Sequence, residues 1–269
     1  MGSNIYGKMF RSCWRVENWI RSHFGIYESE KKLATDSKKY WSGDYVNNVT
    51  IAQDAHWQNR GIFEDTSRWL ALGKEHIDLI SLYSGVLGIE FPIDRMVEWG
   101  CGGGANAVHF APLTKEYIGI DISKDSLREC ERQMNKFGYR NFIPVLVDAV
   151  DPESITSEDI FNNDLFLCTY VYELFPSPEY GITVLKLANS MLKKGGIAVI
   201  QIRYNDGRKG MASKRWGYGK NPYQMTTYTL EEFWKQTRYK GFQPFGIFMK
   251  PEQPLINDMC YAYYFLKKT

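Results

Sequence analysis

Glu98-Trp99-Gly100-Cys101-Gly102-Gly103-Gly104 is the segment with the most chemistry in it. An acid precedes glycines at every second position: Gly100, Gly102 and Gly104. Met96 and Val97 lead in as an apolar run, and Ala105, Ala107, Val108 and Phe110 follow. That order predicts a strand, a tight glycine turn and a helix. Glycine at such a turn admits backbone conformations that a Cβ forbids, and it lets a ligand lie against bare main chain. The helix that follows offers unpaired N–H groups to that ligand. A nucleotide-type cofactor pocket in an open α/β sheet has this layout.

In such sheets ligands sit beyond the carboxyl ends of the strands, so strand-ending residues matter most. Asp121 closes a predicted strand, Tyr117–Ile122, twenty-three residues beyond Glu98. Its carboxylate can accept both hydroxyls of a ribose; the competing role is that of a helix-dipole acid. Asp148 follows a further predicted strand, Ile143–Val147, with Asp151-Pro152 as a nearby turn. Thr169, Tyr170 and Tyr172 follow a fourth, Leu165–Tyr170. Gly100-x-Gly102-x-x-Ala105 also fits the looser dinucleotide-binding form, which keeps a nicotinamide-type cofactor in play at this point.

At these residues the chain resembles the class I S-adenosylmethionine-dependent methyltransferases, whose first motif is acidic-x-Gly-x-Gly-x-Gly. The resemblance covers about residues 75–204 by motif and 240–267 by topology. It implies a Rossmann-like α/β fold, a seven-stranded, mostly parallel sheet closed by a C-terminal antiparallel hairpin. It implies S-adenosyl-L-methionine as cofactor and S-adenosyl-L-homocysteine as product. Gly119-Ile120-Asp121-Ile122-Ser123 matches the ribose motif, with Asp121 as its acid and Ile122 beside it. Asp148 stands where the family receives the adenine amino group, and Ala149 could offer a backbone N–H to the ring. Glu98, Gly100, Cys101, Gly102 and Gly104 fall at the methionine end. Thr169 and Tyr170 fall where donor and acceptor meet, with Tyr170 a catalytic candidate. Tyr172 would line the acceptor site.

Methyl transfer from a sulfonium is an in-line displacement that rests mainly on alignment and exclusion of water. An alcohol acceptor must also lose a proton. Of His23, His56, His76 and His109, the last two sit in predicted core-facing helices and read as structural. His56 lies in the polar-aromatic stretch Ala55–Gly61, expected to fold over the pocket, and is the general-base candidate. Arg60 beside it could bind an acceptor carboxylate or phosphate. Arg203, at the end of a fifth predicted strand, Ile197–Ile202, opens a run of glycines, cations and aromatics through Gly219 that reads as an acceptor-binding lid or a solvated insertion.

The elements that must hold these residues follow from periodicity. Residues 1–75 form a helical cap or lid. Within it Met9, Trp14, Trp19 and Ile20, with Lys8, Arg11, Arg15 and Arg21 between them, read as an amphipathic helix packed on the core, with a membrane-surface helix as the alternative. Residues 76–269 form the methyltransferase domain, with an insertion at about 205–240. A helix is expected over Thr66–Leu87. Another follows Asp121, with Ser123 as N-cap, Leu127, Cys130, Met134 and Phe137 on one face, and Gly138 beyond its end. A helix through Val184 and Leu192 should stop at Lys193-Lys194-Gly195-Gly196. Phe245–Met249 and Cys260–Phe265 read as the terminal hairpin, with Pro251 and Pro254 in its connection. That hairpin favours the methyltransferase arrangement, since a dinucleotide dehydrogenase more often shows a second βαβ half.

The 269 residues are 44% hydrophobic and 24% charged with a net charge of +2, too balanced for nucleic acid to be an expected partner. No run approaches the ~18 apolar residues of a membrane span, so no membrane is expected. Met1-Gly2-Ser3 opens without a signal-peptide core. The five cysteines are scattered, without Cys-x-x-Cys, which argues against disulfides and zinc; no metal is expected and a cytoplasmic location fits. After strand four the chain has Cys168-Thr169-Tyr170-Val171 rather than the marks of nucleic-acid, arginine or catechol-type subfamilies. A small-molecule acceptor (a sugar, phosphorylated or secondary metabolite) is the expectation, taken up at oxygen or nitrogen by a monomer or homodimer. An RNA or protein methyltransferase, or a non-catalytic S-adenosylmethionine-binding protein, are the alternatives.

Overall fold

The computed structural model describes residues 16–42, 55–155, 160–208, 210–220 and 222–269. The sequence readings at Lys8, Met9, Arg11, Trp14 and Arg15 lie outside them. Among the described residues seven strands form one sheet: β1 Ile93–Trp99, β2 Thr114–Asp121, β3 Phe142–Leu146, β4 Asn163–Cys168, β5 Leu192–Arg203, β6 Phe242–Gln253 and β7 Asp258–Lys268. Their order is β3-β2-β1-β4-β5-β7-β6. β1 to β5 pair parallel; β7 runs antiparallel to both β5 and β6. The order reverses between β1 and β4, so a crevice opens outside the carboxyl ends of these strands.

Local chemistry explains the elements that frame this crevice. β1 is apolar and buried from Met96 to Trp99, as a central parallel strand must be. The described part of helix α1 covers residues 16–24, and α2 spans Glu30–Ser42. α3, Thr66–Leu87, begins where Asp65 accepts the Ser67 N–H and ends at Gly88 with φ +70°, a conformation glycine adopts without strain. The glycine turn leads into one helical turn, α4, Ala107–Phe110. α5, Lys124–Lys136, follows β2 with Ser123 capping the Ser126 N–H and Gly138 at φ +86°, as its sequence predicts. It buries Leu127, Cys130 and Met134 beside Tyr117 and Phe110, and truncating Leu127 or Met134 to alanine should cost about 2–5 kcal/mol. Phe137, expected on that face, is exposed because the helix has ended. α6, Pro178–Met191, is capped by Ser177.

Three boundaries differ from expectation. α6 stops at Met191, and Leu192–Gly196 already belongs to β5, because Asn163 holds the turn through the Met191 carbonyl at 2.9 Å. Pro251 lies inside β6 rather than in the connection, which an edge strand tolerates. The insertion contains a helix, α7, Leu230–Tyr239, closed by a reciprocal capping box between Thr229 and Glu232.

Candidate active site

The carboxyl ends of β1, β2 and β4 surround one cavity. Its wall includes Glu98, Gly100, Cys101, Asp121, Ile122 and Ala149, with Thr169 and Tyr170 on the β4 side. The structure brings these sequence-predicted residues together at one cavity. Gly102 and Gly104 shape the turn behind the wall. The Gly100 and Cys101 N–H groups both bond to the Ile120 carbonyl, at 2.7 and 3.1 Å, and lock the turn to β2. Gly100 has φ +76°, and a Cβ there would stand 2.4 Å from Val171 Cγ2. Gly102 has φ +52°, and a Cβ there would stand 2.7 Å from His56 Cδ2. Bare backbone is therefore required at both.

Asp121 accepts the Gly102 N–H on one carboxylate oxygen at 3.0 Å and the Ser123 N–H on the other at 2.9 Å. Burial outweighs these amides and raises its pKa to about 6. Each oxygen keeps acceptor capacity toward the cavity, which suits a vicinal diol.

Glu98 is fully enclosed, and burial raises its pKa to about 7. Its two oxygens accept Asn106 Nδ2 at 2.5 Å and the Tyr117 hydroxyl. Glu98 thus organises the residues around the turn. Cys101 is a buried free thiol beside Cys130, and its contact with the Cys130 thiol, then burial, push its pKa up.

Ser37 and Trp41 of α2, with Tyr218, line the cavity from above. Trp41 Nε1 donates to the Tyr218 hydroxyl at 2.9 Å, and that hydroxyl donates to the Leu174 carbonyl at 2.7 Å. His56 lies at the cofactor side: its ring covers Gly102, sits edge-on to Trp41 at 5.7 Å, and its Nε2 pairs with Ser126 Oγ at 3.1 Å. Burial lowers its pKa to about 4, so the ring is neutral at pH 7.

Four expected residues stand away from the wall. Tyr172 is fully buried in the core, with its hydroxyl donating to the Gly181 carbonyl at 3.0 Å, because a short 3-10 turn after Tyr170 rotates it behind β4. Arg203 is held by Asp258 of β7, at 3.0 and 2.8 Å, rather than projecting into the cavity. Arg60 is exposed beyond the cavity rim. Asp148 is also exposed, capping the Val150 N–H at 3.0 Å and pairing with Lys38 of α2 at 3.3 Å. The amide and the cation hold its carboxyl below the usual range.

Asn106 and His76 are among the wall residues that were not expected. Asn106 bridges Glu98, Thr169 (Oγ1 at 3.0 Å) and His76 (Nδ1 at 2.7 Å). His76, read from sequence as structural, lines the cavity from α3. Tyr170 itself has φ +57°, strained for a tyrosine, and its N–H is held by Gln201 Oε1 at 2.5 Å. Among the described residues no group of three or more His, Cys, Asp or Glu is placed to hold a metal ion, and no helix is long and apolar enough to cross a membrane.

Comparison with known proteins agrees with this geometry. Residues 97–198 match the family model described as a methyltransferase domain. A curated relative, the ubiquinone biosynthesis O-methyltransferase of Chromobacterium violaceum, is 26% identical over 120 residues, covering 45% of this chain and 47% of the relative. The chain thus spans about half the length of the curated relative it matches. Among solved structures, magnesium protoporphyrin IX methyltransferase from Synechocystis, crystallised with bound SAM, superposes with a TM-score of 0.59 at 13% identity, covering 91% of this chain and 99% of that one. An S-adenosylmethionine-dependent methyltransferase from Clostridium acetobutylicum gives 0.56 at 15% identity, covering 76% and 92%. At such identities these likenesses speak to the fold alone.

Proposed function

Since residues 97–198 match a methyltransferase domain, we propose that this chain is an S-adenosylmethionine-dependent enzyme of the class I type that transfers a methyl group from S-adenosyl-L-methionine to an oxygen or nitrogen of a small molecule. The observation that carries this reading is the buried Asp121 carboxylate, anchored by two amides yet open toward the cavity beside a bare glycine turn. The residues present fit the cofactor. Asp121 takes the ribose hydroxyls. The main chain from Gly100 to Gly104 receives the amino-acid end. Ile122 and Ala149 would hold the adenine. Thr169 and Tyr170 flank the sulfonium.

When bound, the cofactor supplies an electrophilic methyl group on sulfur. The chain's own task is then alignment and dryness. Trp41, Tyr218 and His56 cover the cavity, and Phe175, Pro176 and Tyr180 give it an apolar wall. Oriented reactants of this kind gain up to ~7–11 kcal/mol relative to free encounter. This cover, with Ser37 and Trp41 of α2 and Tyr218, favours a small acceptor over a polymer.

Isothermal calorimetry with S-adenosyl-L-homocysteine tests the cofactor half, with NAD as the competing probe. A screen of small hydroxyl and amine acceptors with isotope-labelled methyl donor tests the transfer half. Binding of the homocysteine product in a one-to-one ratio is expected; binding of NAD alone would overturn the reading.

A further inference from the structure

A continuous hydrogen-bond chain links four residues of the cavity wall, Tyr170, His76, Asn106 and Glu98, through the buried Tyr263. Gln253 Nε2 donates to the Tyr170 hydroxyl at 2.5 Å. The Tyr170 and Tyr263 hydroxyls are 3.2 Å apart, and the Tyr263 hydroxyl is 3.2 Å from His76 Nε2. His76 Nδ1 is 2.7 Å from Asn106 Oδ1, and Asn106 Nδ2 donates to Glu98 Oε1 at 2.5 Å.

The direction of every bond is dictated from one end. Asn106 Nδ2 donates to both Glu98 Oε1 and Thr169 Oγ1, which leaves Asn106 Oδ1 facing His76. An amide oxygen only accepts, so the neutral His76 carries its proton on Nδ1. Its Nε2 is then a bare acceptor, and the Tyr263 hydroxyl donates to it. Tyr263 oxygen in turn accepts from Tyr170, whose oxygen accepts from Gln253. The result is an ordered file of hydroxyl protons pointing from the wall residue Tyr170 toward a basic nitrogen.

We propose that His76 is the proton sink of this site, reached from the acceptor through the Tyr170 and Tyr263 hydroxyls, and that the acceptor is therefore an alcohol or phenol rather than an amine. The proposal rests on the methyl-transfer reading above. The acceptor's O–H bond breaks as its oxygen bonds to the methyl carbon, and the electron pair of the S–C bond goes to sulfur. The acceptor proton moves to the Tyr170 oxygen, Tyr170 passes its own to Tyr263, and Tyr263 passes its own to His76 Nε2. Imidazolium at His76 retains the Asn106 bond, with Glu98 behind it. An amine, nucleophilic when neutral, needs no such path before it attacks.

Burial lowers the His76 pKa to about 4, opposed by Asn106 and Glu75, while Lys250 and His109 act in the same direction as burial. This keeps the ring neutral and ready to accept at pH 7. Such a weak base suffices because the acceptor oxygen becomes strongly acidic as the C–O bond forms. Both phenols are held above their ordinary pKa, chiefly by burial, so they relay protons without resting as phenolates. His56 lacks any such route: its Nε2 faces Ser126 across the cofactor side.

The test uses the full chain with 15N-labelled histidine, His76 being assigned by difference with His76→Gln. Proton on Nδ1 at pH 7, with the Nε2 resonance alone moving in Tyr263→Phe, is expected; proton on Nε2 overturns the relay. With an acceptor from the screen, Tyr263→Phe should lower kcat about 100-fold, leaving acceptor KM and S-adenosyl-L-homocysteine affinity unchanged. Unchanged kcat, or an acceptor that is an amine, overturns the proposal and leaves cofactor binding standing. Failure of the wild-type protein to bind S-adenosyl-L-homocysteine sinks the methyl-transfer reading instead, and is distinguished by calorimetry.

Discussion

The Gly102 N–H reaches the Asp121 carboxylate at 3.0 Å, tying the middle of the glycine turn to the end of the neighbouring strand. Because β1 and β2 pair in parallel register up to Trp99 and Ile120, the turn and the acid emerge at the same level. One bond therefore holds the bare backbone and the carboxylate together at the edge of the cavity.

The carboxyl of Asp121 gives a pH signature. Burial raises its pKa to about 6, so the group takes up a proton as pH falls through 6. Two ribose hydroxyls need the ionised form, and binding should pull the pKa down. Affinity for S-adenosyl-L-homocysteine should thus be greatest above pH 6 and about tenfold weaker at pH 5. Calorimetry across this range measures it. A flat profile in the wild type would remove Asp121 from the ribose role, and Asp121→Asn should bind weakly at every pH.

Gly100→Ala should be destabilising by at least about 2 kcal/mol, since the left-handed backbone penalises any Cβ and the new methyl would meet Val171 at 2.4 Å. Gly207→Ala is the control: φ is +84°, but nothing lies within 4 Å. Thermal or urea unfolding should show the larger loss at Gly100. Equal losses would mean that close approach to Val171 does not constrain the turn.

Asn106→Asp replaces the amide that Glu98, Thr169 and His76 share with a second acid against Glu98. A buried like-charge pair without compensation should cost about 3–5 kcal/mol. Urea denaturation at pH 7 reads this directly. Part of the loss should be recovered at lower pH, where Glu98, already raised to about 7 by burial, takes up its proton. No recovery on acidification would show that Glu98 is not the partner that matters.

His56→Ala separates the two histidines at the cavity wall. Its ring covers Gly102, so S-adenosyl-L-homocysteine should bind more weakly. Turnover at saturating substrates should stay within about threefold of wild type, as expected for a lost binding contact. A collapse of kcat with binding intact would return the base role to His56.

The cofactor half of the site is legible in the sequence because its determinants are local. Glu98, the glycines and Asp121 each end or follow an apolar run, and a parallel sheet aligns such ends. Ser123 and Gly138 mark α5 by cap chemistry alone, and the Thr229–Glu232 box could have marked α7 in the same way. The acceptor side is built from distant parts. Arg203 meets Asp258 from another strand, and the His76 ring turns to the cavity only because α3 packs beside α4. A histidine on an apolar helix face looks the same whether it faces core or cavity. Tyr170 and Tyr172 could not be separated either, since the positive φ of Tyr170 decides which ring reaches the wall.

A crystal structure with S-adenosyl-L-homocysteine tests the central claim most directly. Both ribose hydroxyls should lie within hydrogen-bonding distance of Asp121, with the sulfur beside Thr169 and Tyr170. A ligand seated elsewhere, or a ribose turned away from Asp121, would contradict the account.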